Sequence, residues 1–188
     1  MVEEVPSARR VELVDAAYDY ALANGLAGAS LRPVAEAIGS STGVLRFLFG
    51  SKDGLVRAVL ERARADELRM LATISTDADL RQVAEEVWTW LADARHAPVL
   101  RLWVESYAAA LGHPDGPWGD FARRTVEDWL ELLAGAQPAA VRRTAAGGAR
   151  RTAVLAVLRG GMLDLLATGQ RTRVTRAVRE GIAAMTPG

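Results

Sequence analysis

Apolar residues recur in this chain at intervals of three and four almost from end to end. Nowhere do five or more residues alternate apolar and polar in a β-branched setting. The first period marks one face of an α-helix, the second a half-buried strand. The chain is therefore expected to be all-α. Val11, Val14, Ala17, Tyr18, Ala21 and Leu22 form the first stripe, over residues 7–24, and Gly25 stands where a glycine ends a helix. Ser30 can cap a short helix over 31–38, with Pro33 harmless in its first turn, and Gly39 breaks it. Ser40 or Ser41 caps a third helix ending near Phe49 and Gly50. Ser51 or Asp53 opens a long fourth, carrying Leu55, Val59, Ala63, Leu68 and Leu71.

Beyond residue 72 the composition shifts. A short link over 74–80 offers Thr76 or Asp77 as a cap. Helical spacing resumes over 79–94, 98–111, 118–134, 150–168 and 171–185, with a loose stretch at 135–149. The expected organisation is an N-terminal three-helix domain over 1–54 and a helical C-terminal domain over 55–188.

Composition excludes more than it points to. The chain has no cysteine, which removes disulfides and thiolate chemistry. No apolar run approaches the roughly 18 residues of a membrane span. The start, MVEEVPSARR, lacks the basic-then-apolar pattern of a secretion signal. A cytoplasmic location is expected. Net charge is zero. Within residues 1–64, Arg9, Arg10, Arg32, Arg46, Lys52, Arg57, Arg62 and Arg64 are matched by Glu3, Glu4, Glu12, Asp15, Asp19, Glu36, Asp53 and Glu61. Charge thus gives no support for nucleic-acid binding, and pattern must decide.

The informative pattern runs from Leu31 to Leu55: two short helices joined at Gly39, a helix-turn-helix. The first turns Leu31, Val34, Ala35 and Ile38 inward, and small Ala35 lets the second cross closely. The second is expected to bury Val44 or Leu45, Leu48, Phe47 and Phe49. Its other face presents Ser41, Thr42, Gly43 and Arg46, N-terminal residues first, as a helix entering a major groove does.

Val34-Ala35-Glu36-Ala37-Ile38-Gly39 and Phe49-Gly50-Ser51-Lys52-Asp53-Gly54-Leu55 stand at the spacing of one family's N-terminal signature, and residues 7–60 resemble the TetR family of transcriptional regulators. The resemblance implies a homodimer binding double-stranded operator DNA, most simply a repressor released by a small apolar or aromatic effector. It implies a DNA-facing set of Arg32, Ser41, Thr42, Gly43, Val44, Arg46 and Lys52, with Arg9 and Arg10 as further phosphate contacts. Lys52 matches the family's phosphate-contacting lysine at the start of helix four, where the helix terminus adds partial positive charge. The chain departs from the family at Arg46 and Leu48, where an aromatic residue and a histidine or tyrosine usually touch phosphates.

The C-terminal half concentrates the tryptophans. Trp88, Trp103, Tyr107, Trp118, Phe121 and Trp129, with Met162, are candidate walls of an effector cavity; simple core packing is the competing reading. Leu155, Leu158, Met162, Val174, Val178 and Ile182 form stripes on the last two helices, and the resemblance implies a dimer interface there. Glu105 and Arg101 are spaced as an i,i+4 pair. His96 and His113 lack metal-ligand spacing, and no catalytic constellation stands out, so neither an enzyme, a metal nor a cofactor is expected. The remaining alternative is a helical ligand-binding or interaction module whose DNA-binding face has decayed. Neutral charge, Arg46 and Leu48 favour it.

Overall fold

The computed structural model describes residues 7–26, 28–74 and 78–186, which form ten α-helices and no strand. They are α1 (Ala8–Asn24), α2 (Leu31–Ala37), α3 (Thr42–Phe49), α4 (Lys52–Leu71), α5 (Leu80–Leu91), α6 (Ala97–Gly112), α7 (Phe121–Gly135), α8 (Ala139–Arg142), α9 (Ala145–Thr168) and α10 (Arg171–Met185). A 3-10 turn, Ala94–His96, precedes α6. None of these helices is long and apolar enough to cross a membrane. The expected caps Thr76 and Asp77 lie outside the described residues. The chain divides into two compact units: one runs to Glu67 and takes in Pro98–Arg123, the other comprises Leu68–Ala97 and everything from Arg124.

In the first unit the helix ends are set by short local bonds. Ser7 caps α1, its side chain accepting from the Arg10 N–H. At the end of α2 the Ser40 N–H donates to the Ala35 carbonyl at 2.9 Å and the Gly39 N–H to that of Glu36 at 3.4 Å. This is a Schellman closure, and it needs the left-handed backbone that Gly39 adopts at φ 64°. Arg62 of α4 bonds Asp15 of α1 at 2.6 Å and lies over the Tyr18 ring, fastening α4 to α1. Leu13, Ala17, Leu45, Leu55, Val59, Leu100 and Leu102 are buried in this unit.

In the second unit α5, α9 and α10 pack on one another. Asp79 caps α5 in a reciprocal box with Gln82. Trp88 of α5 donates its indole N–H to the Thr175 hydroxyl of α10 at 3.2 Å. Gly161 of α9 faces the same place: a Cβ there would stand 2.2 Å from a Val178 methyl and 3.1 Å from the Trp88 ring. The stretch expected to be loose, 135–149, instead holds α8 and the first turn of α9. Thr144 caps α9 by accepting from the Gly147 N–H at 3.0 Å, and the following alanines are the strongest helix formers. Gly147 is required by contact, since a Cβ there would meet the Val141 carbonyl oxygen at 2.1 Å.

Candidate nucleic-acid interface

The candidate interface is built on α3, and its placement follows from three glycines and a serine. Gly39 reverses the chain after α2. Ser41 then caps α3, its hydroxyl accepting from the Val44 N–H at 3.2 Å. Gly50 ends α3 at φ 73°, its N–H donating to the Arg46 carbonyl at 2.8 Å. Gly54 lets α4 begin immediately, because a Cβ there would overlap the Phe49 carbonyl oxygen. The Ser51 hydroxyl accepts from the Gly54 N–H at 3.1 Å, so of the two expected openers of α4 it is Ser51 that caps.

An α-helix turns about 100° per residue, so a helix of this length can bury one narrow stripe. On α3 that stripe is Leu45 and Phe49, with Leu48 half-buried beside it. Leu45 is 0% exposed, whereas Val44 is 38% exposed. Phe47 was expected in the core and is instead 87% exposed. It lies two positions from both Leu45 and Phe49, on the far side of the helix from them.

The remaining expected DNA-facing residues are all on the surface. Ser41, Thr42, Gly43 and Arg46 are exposed, and Lys52 is half-buried at the start of α4. Ser41 is the helix cap as well. Arg32 pairs with Glu36 one turn along α2 at 2.9 Å, both side chains well exposed. A surface pair of this kind holds loosely and leaves the guanidinium available to a stronger anion. Arg9 pairs similarly with Glu12, and the Arg10 guanidinium lies 5.2 Å over the Phe49 ring. α3 itself carries no acidic residue. An exposed, acid-free helix with a cation on its flank and a cationic helix start behind it can lie against a polyanion.

The residues expected around an effector fall in both units. Trp103, Tyr107, Trp118 and Phe121 belong to the first, Trp88, Trp129 and Met162 to the second. All the tryptophans among them and Phe121 are buried, while Tyr107 and Met162 are half-buried. Trp88 is a packing element, tied to Thr175 and set against Gly161. An open groove of about 370 Å³ in the second unit is lined by Leu68, Leu71, Ala72, Ile74, Asp128, Glu131 and Leu132, none of them among the expected residues. Of the residues expected between subunits, Leu155, Leu158, Val174, Val178 and Ile182 are buried within the single chain. The outward side of α9 instead presents Ala149, Thr152, Ala156, Gly160, Leu163 and Ala167, spaced by three and four.

Two residues escaped the sequence reading. Glu67, in α4, is 1% exposed, although a carboxylate in a helical pattern reads as solvated. Glu105 of α6, expected to pair with Arg101, accepts from the Leu26 N–H at 2.9 Å. No local signal announces a partner so distant in the chain.

Comparison with known proteins agrees with the fold. No family model matches the chain. The helix-turn-helix regulator BetI of Paraburkholderia phytofirmans is 34% identical over 113 residues, covering 50% of this chain. The chain spans 58% of the length of that relative. Among solved structures, the multidrug binding protein EbrR in complex with imidazole is 28% identical at a TM-score of 0.71, covering 97% of this chain and 92% of that one. A TetR-family member from Streptomyces coelicolor A3 is 26% identical at a TM-score of 0.71, covering 96% of this chain and 99% of its own. In its helix-turn-helix sequence and its all-helical fold, this chain is similar to TetR-family transcriptional regulators.

Proposed function

We propose that the protein is an effector-responsive, DNA-binding transcriptional repressor acting as a homodimer. The observation that carries this reading is α3, capped at Ser41, closed at Gly50 and exposed along Thr42, Gly43, Val44, Arg46 and Phe47. Arg46 would grip a phosphate or a guanine edge in bidentate fashion. Lys52, at the N-terminus of α4, would hold a phosphate with help from the helix dipole. Arg32 would leave Glu36 for a phosphate. Leu48, half-buried, takes no part in contact with DNA. The decayed-module alternative finds less support, because α3 stays exposed with Arg46 on its surface and Lys52 at the start of the next helix.

Dimerisation through α9 and α10 would set two copies of α3 in successive major grooves, roughly 34–36 Å apart. Leu155, Leu158, Val174, Val178 and Ile182 would form the floor beneath such an interface. Its contacting surface would be the small-residue side of α9; Met162, half-buried, shares the stripe of Leu155 and Leu158 instead.

The effector we propose is a small aromatic or apolar molecule held within one unit, either by Trp103, Tyr107, Trp118 and Phe121 or by Trp88, Trp129 and Met162. EbrR has been crystallised with imidazole, proflavin and ethidium, which favours an aromatic ring. Occupancy would shift the dimer between two spacings of α3. By linkage, DNA would weaken effector binding by the same factor. A mobility-shift series on DNA upstream of the protein's own gene tests this, with non-intercalating aromatic compounds added in turn. A retarded band that one compound releases supports the reading. Absence of any shift at low salt counts against DNA binding, and a shift that no compound releases counts against the effector.

A further inference from the structure

Phe47 is the most exposed large apolar side chain among the described residues, and it stands in the middle of the proposed reading helix. Resting on the reading that α3 enters the major groove, we propose that the protein identifies its operator through thymine methyl groups, touched by Phe47 and Val44. In this arrangement Gly43 lets the helix backbone come close to the groove floor.

Three observations converge on this. The outward side of α3 is Thr42, Gly43, Val44, Arg46 and Phe47, and only Thr42 at its start and Arg46 carry hydrogen-bonding side chains. Such a face has little with which to read the donor and acceptor pattern of base edges. The major groove offers one apolar feature, the thymine 5-methyl group, and that is what an exposed aromatic ring and a valine can recognise.

The second observation is Gly43. Glycine in the first turn of a short helix weakens it. Yet a Cβ there would meet nothing closer than the Ser41 hydroxyl at 3.7 Å, so the protein's own packing does not require the glycine. One turn before Phe47, its bare backbone leaves room for an outside surface.

The third is charge. With no acidic side chain on α3 and Arg46 exposed beside Phe47, the apolar patch sits in a setting suited to a polyanion. A protein partner would be served equally well by an uncharged rim, and DNA is therefore the occupant that the surroundings favour.

The test uses the full chain and a pool of random-sequence duplex DNA, enriched by repeated selection at low salt. Enriched duplexes are then remade with deoxyuridine in place of single thymines, which removes the methyl group and nothing else. Affinities are read by fluorescence anisotropy. We expect a duplex with recurring thymines, and about fourfold weaker binding for each contacted methyl removed. Phe47→Ala should fold normally, bind the thymine duplex more weakly and distinguish it less from the uracil form, and Phe47→Ala with Val44→Ala should no longer distinguish the two. Phe47→Leu should keep part of the discrimination. Enriched sites without recurring thymines, or uracil duplexes bound as tightly as the parent, would overturn the inference while leaving DNA binding intact. Discrimination undiminished in Phe47→Ala, the outcome expected were Phe47 a protein-docking residue, would overturn it too. If no sequence is enriched and no duplex is bound, the DNA-binding reading itself fails.

Discussion

The carboxylate of Glu105 accepts a hydrogen bond from the backbone N–H of Leu26 at 2.9 Å, across 79 positions of chain. It thereby fastens α6 to the corner that follows α1. Gly25 makes room for it: its φ is 77°, and a Cβ there would stand 2.9 Å from a Glu105 oxygen. A backbone N–H bonded to a charged acceptor contributes about 1.5–3 kcal/mol. Glu105→Ala should lose an amount in that range in urea unfolding, and Glu105→Gln, which keeps an oxygen acceptor, should lose less. Gly25→Ala should also destabilise, by about 1 kcal/mol or more, since it meets an unfavourable backbone region as well as the carboxylate. Wild-type midpoints for all three would show that the contact contributes nothing.

Neighbouring apolar residues on α3 should respond oppositely to truncation. Leu45 is 0% exposed and Phe47 87% exposed. Leu45→Ala should cost about 2–5 kcal/mol through lost burial and the cavity left behind. Phe47→Ala should change stability by no more than about 0.5 kcal/mol. Paired denaturation curves check this, and a large loss for Phe47→Ala would mean that its ring is packed after all.

Gly43→Ala should separate stability from function. Alanine is favoured over glycine inside a helix by about 1 kcal/mol, and the site has space for the methyl group. The variant should melt higher than the parent and bind selected DNA less tightly. Unchanged DNA affinity would show that the duplex does not approach the backbone there.

The α9–α10 crossing has no such space. Gly161→Ala would place a methyl group 2.2 Å from Val178, against the Trp88 ring. Overpacking of this kind costs about 1–3 kcal/mol. Thermal melts followed by tryptophan fluorescence should show the loss, with the emission of Trp88 perturbed. Wild-type stability in Gly161→Ala would mean that the two helices part freely.

The all-α architecture and most helix limits were legible in the sequence, because caps and glycines act within a few residues of themselves. Ser41, Ser51, Gly39 and Gly50 all do in the fold what their spacing implies. Side-chain direction was harder. Leu45, Phe47, Leu48 and Phe49 all read as core, but a helix with one buried stripe cannot turn them all inward, and apolarity alone does not say which is left out. Asp79 rather than an earlier residue caps α5, since the cap is chosen by whichever carboxylate finds the Gln82 N–H. The alanine-rich start of α9 was expected to belong to a loose stretch. Gly147 in fact marks a close approach to Val141. Glu105 was unreadable for a different reason: its partner is set by tertiary folding.

In the proposed interface, α3 and the start of α4 hold duplex DNA through phosphates as well as bases. The most direct measurement is the dependence of affinity for a selected duplex on salt concentration, for the parent and for Lys52→Met. We expect log Kd to rise steeply and linearly with log salt, and the slope to fall by about one for each subunit in the variant. Binding insensitive to salt, or a slope that Lys52→Met leaves unchanged, would contradict the interface described for these residues.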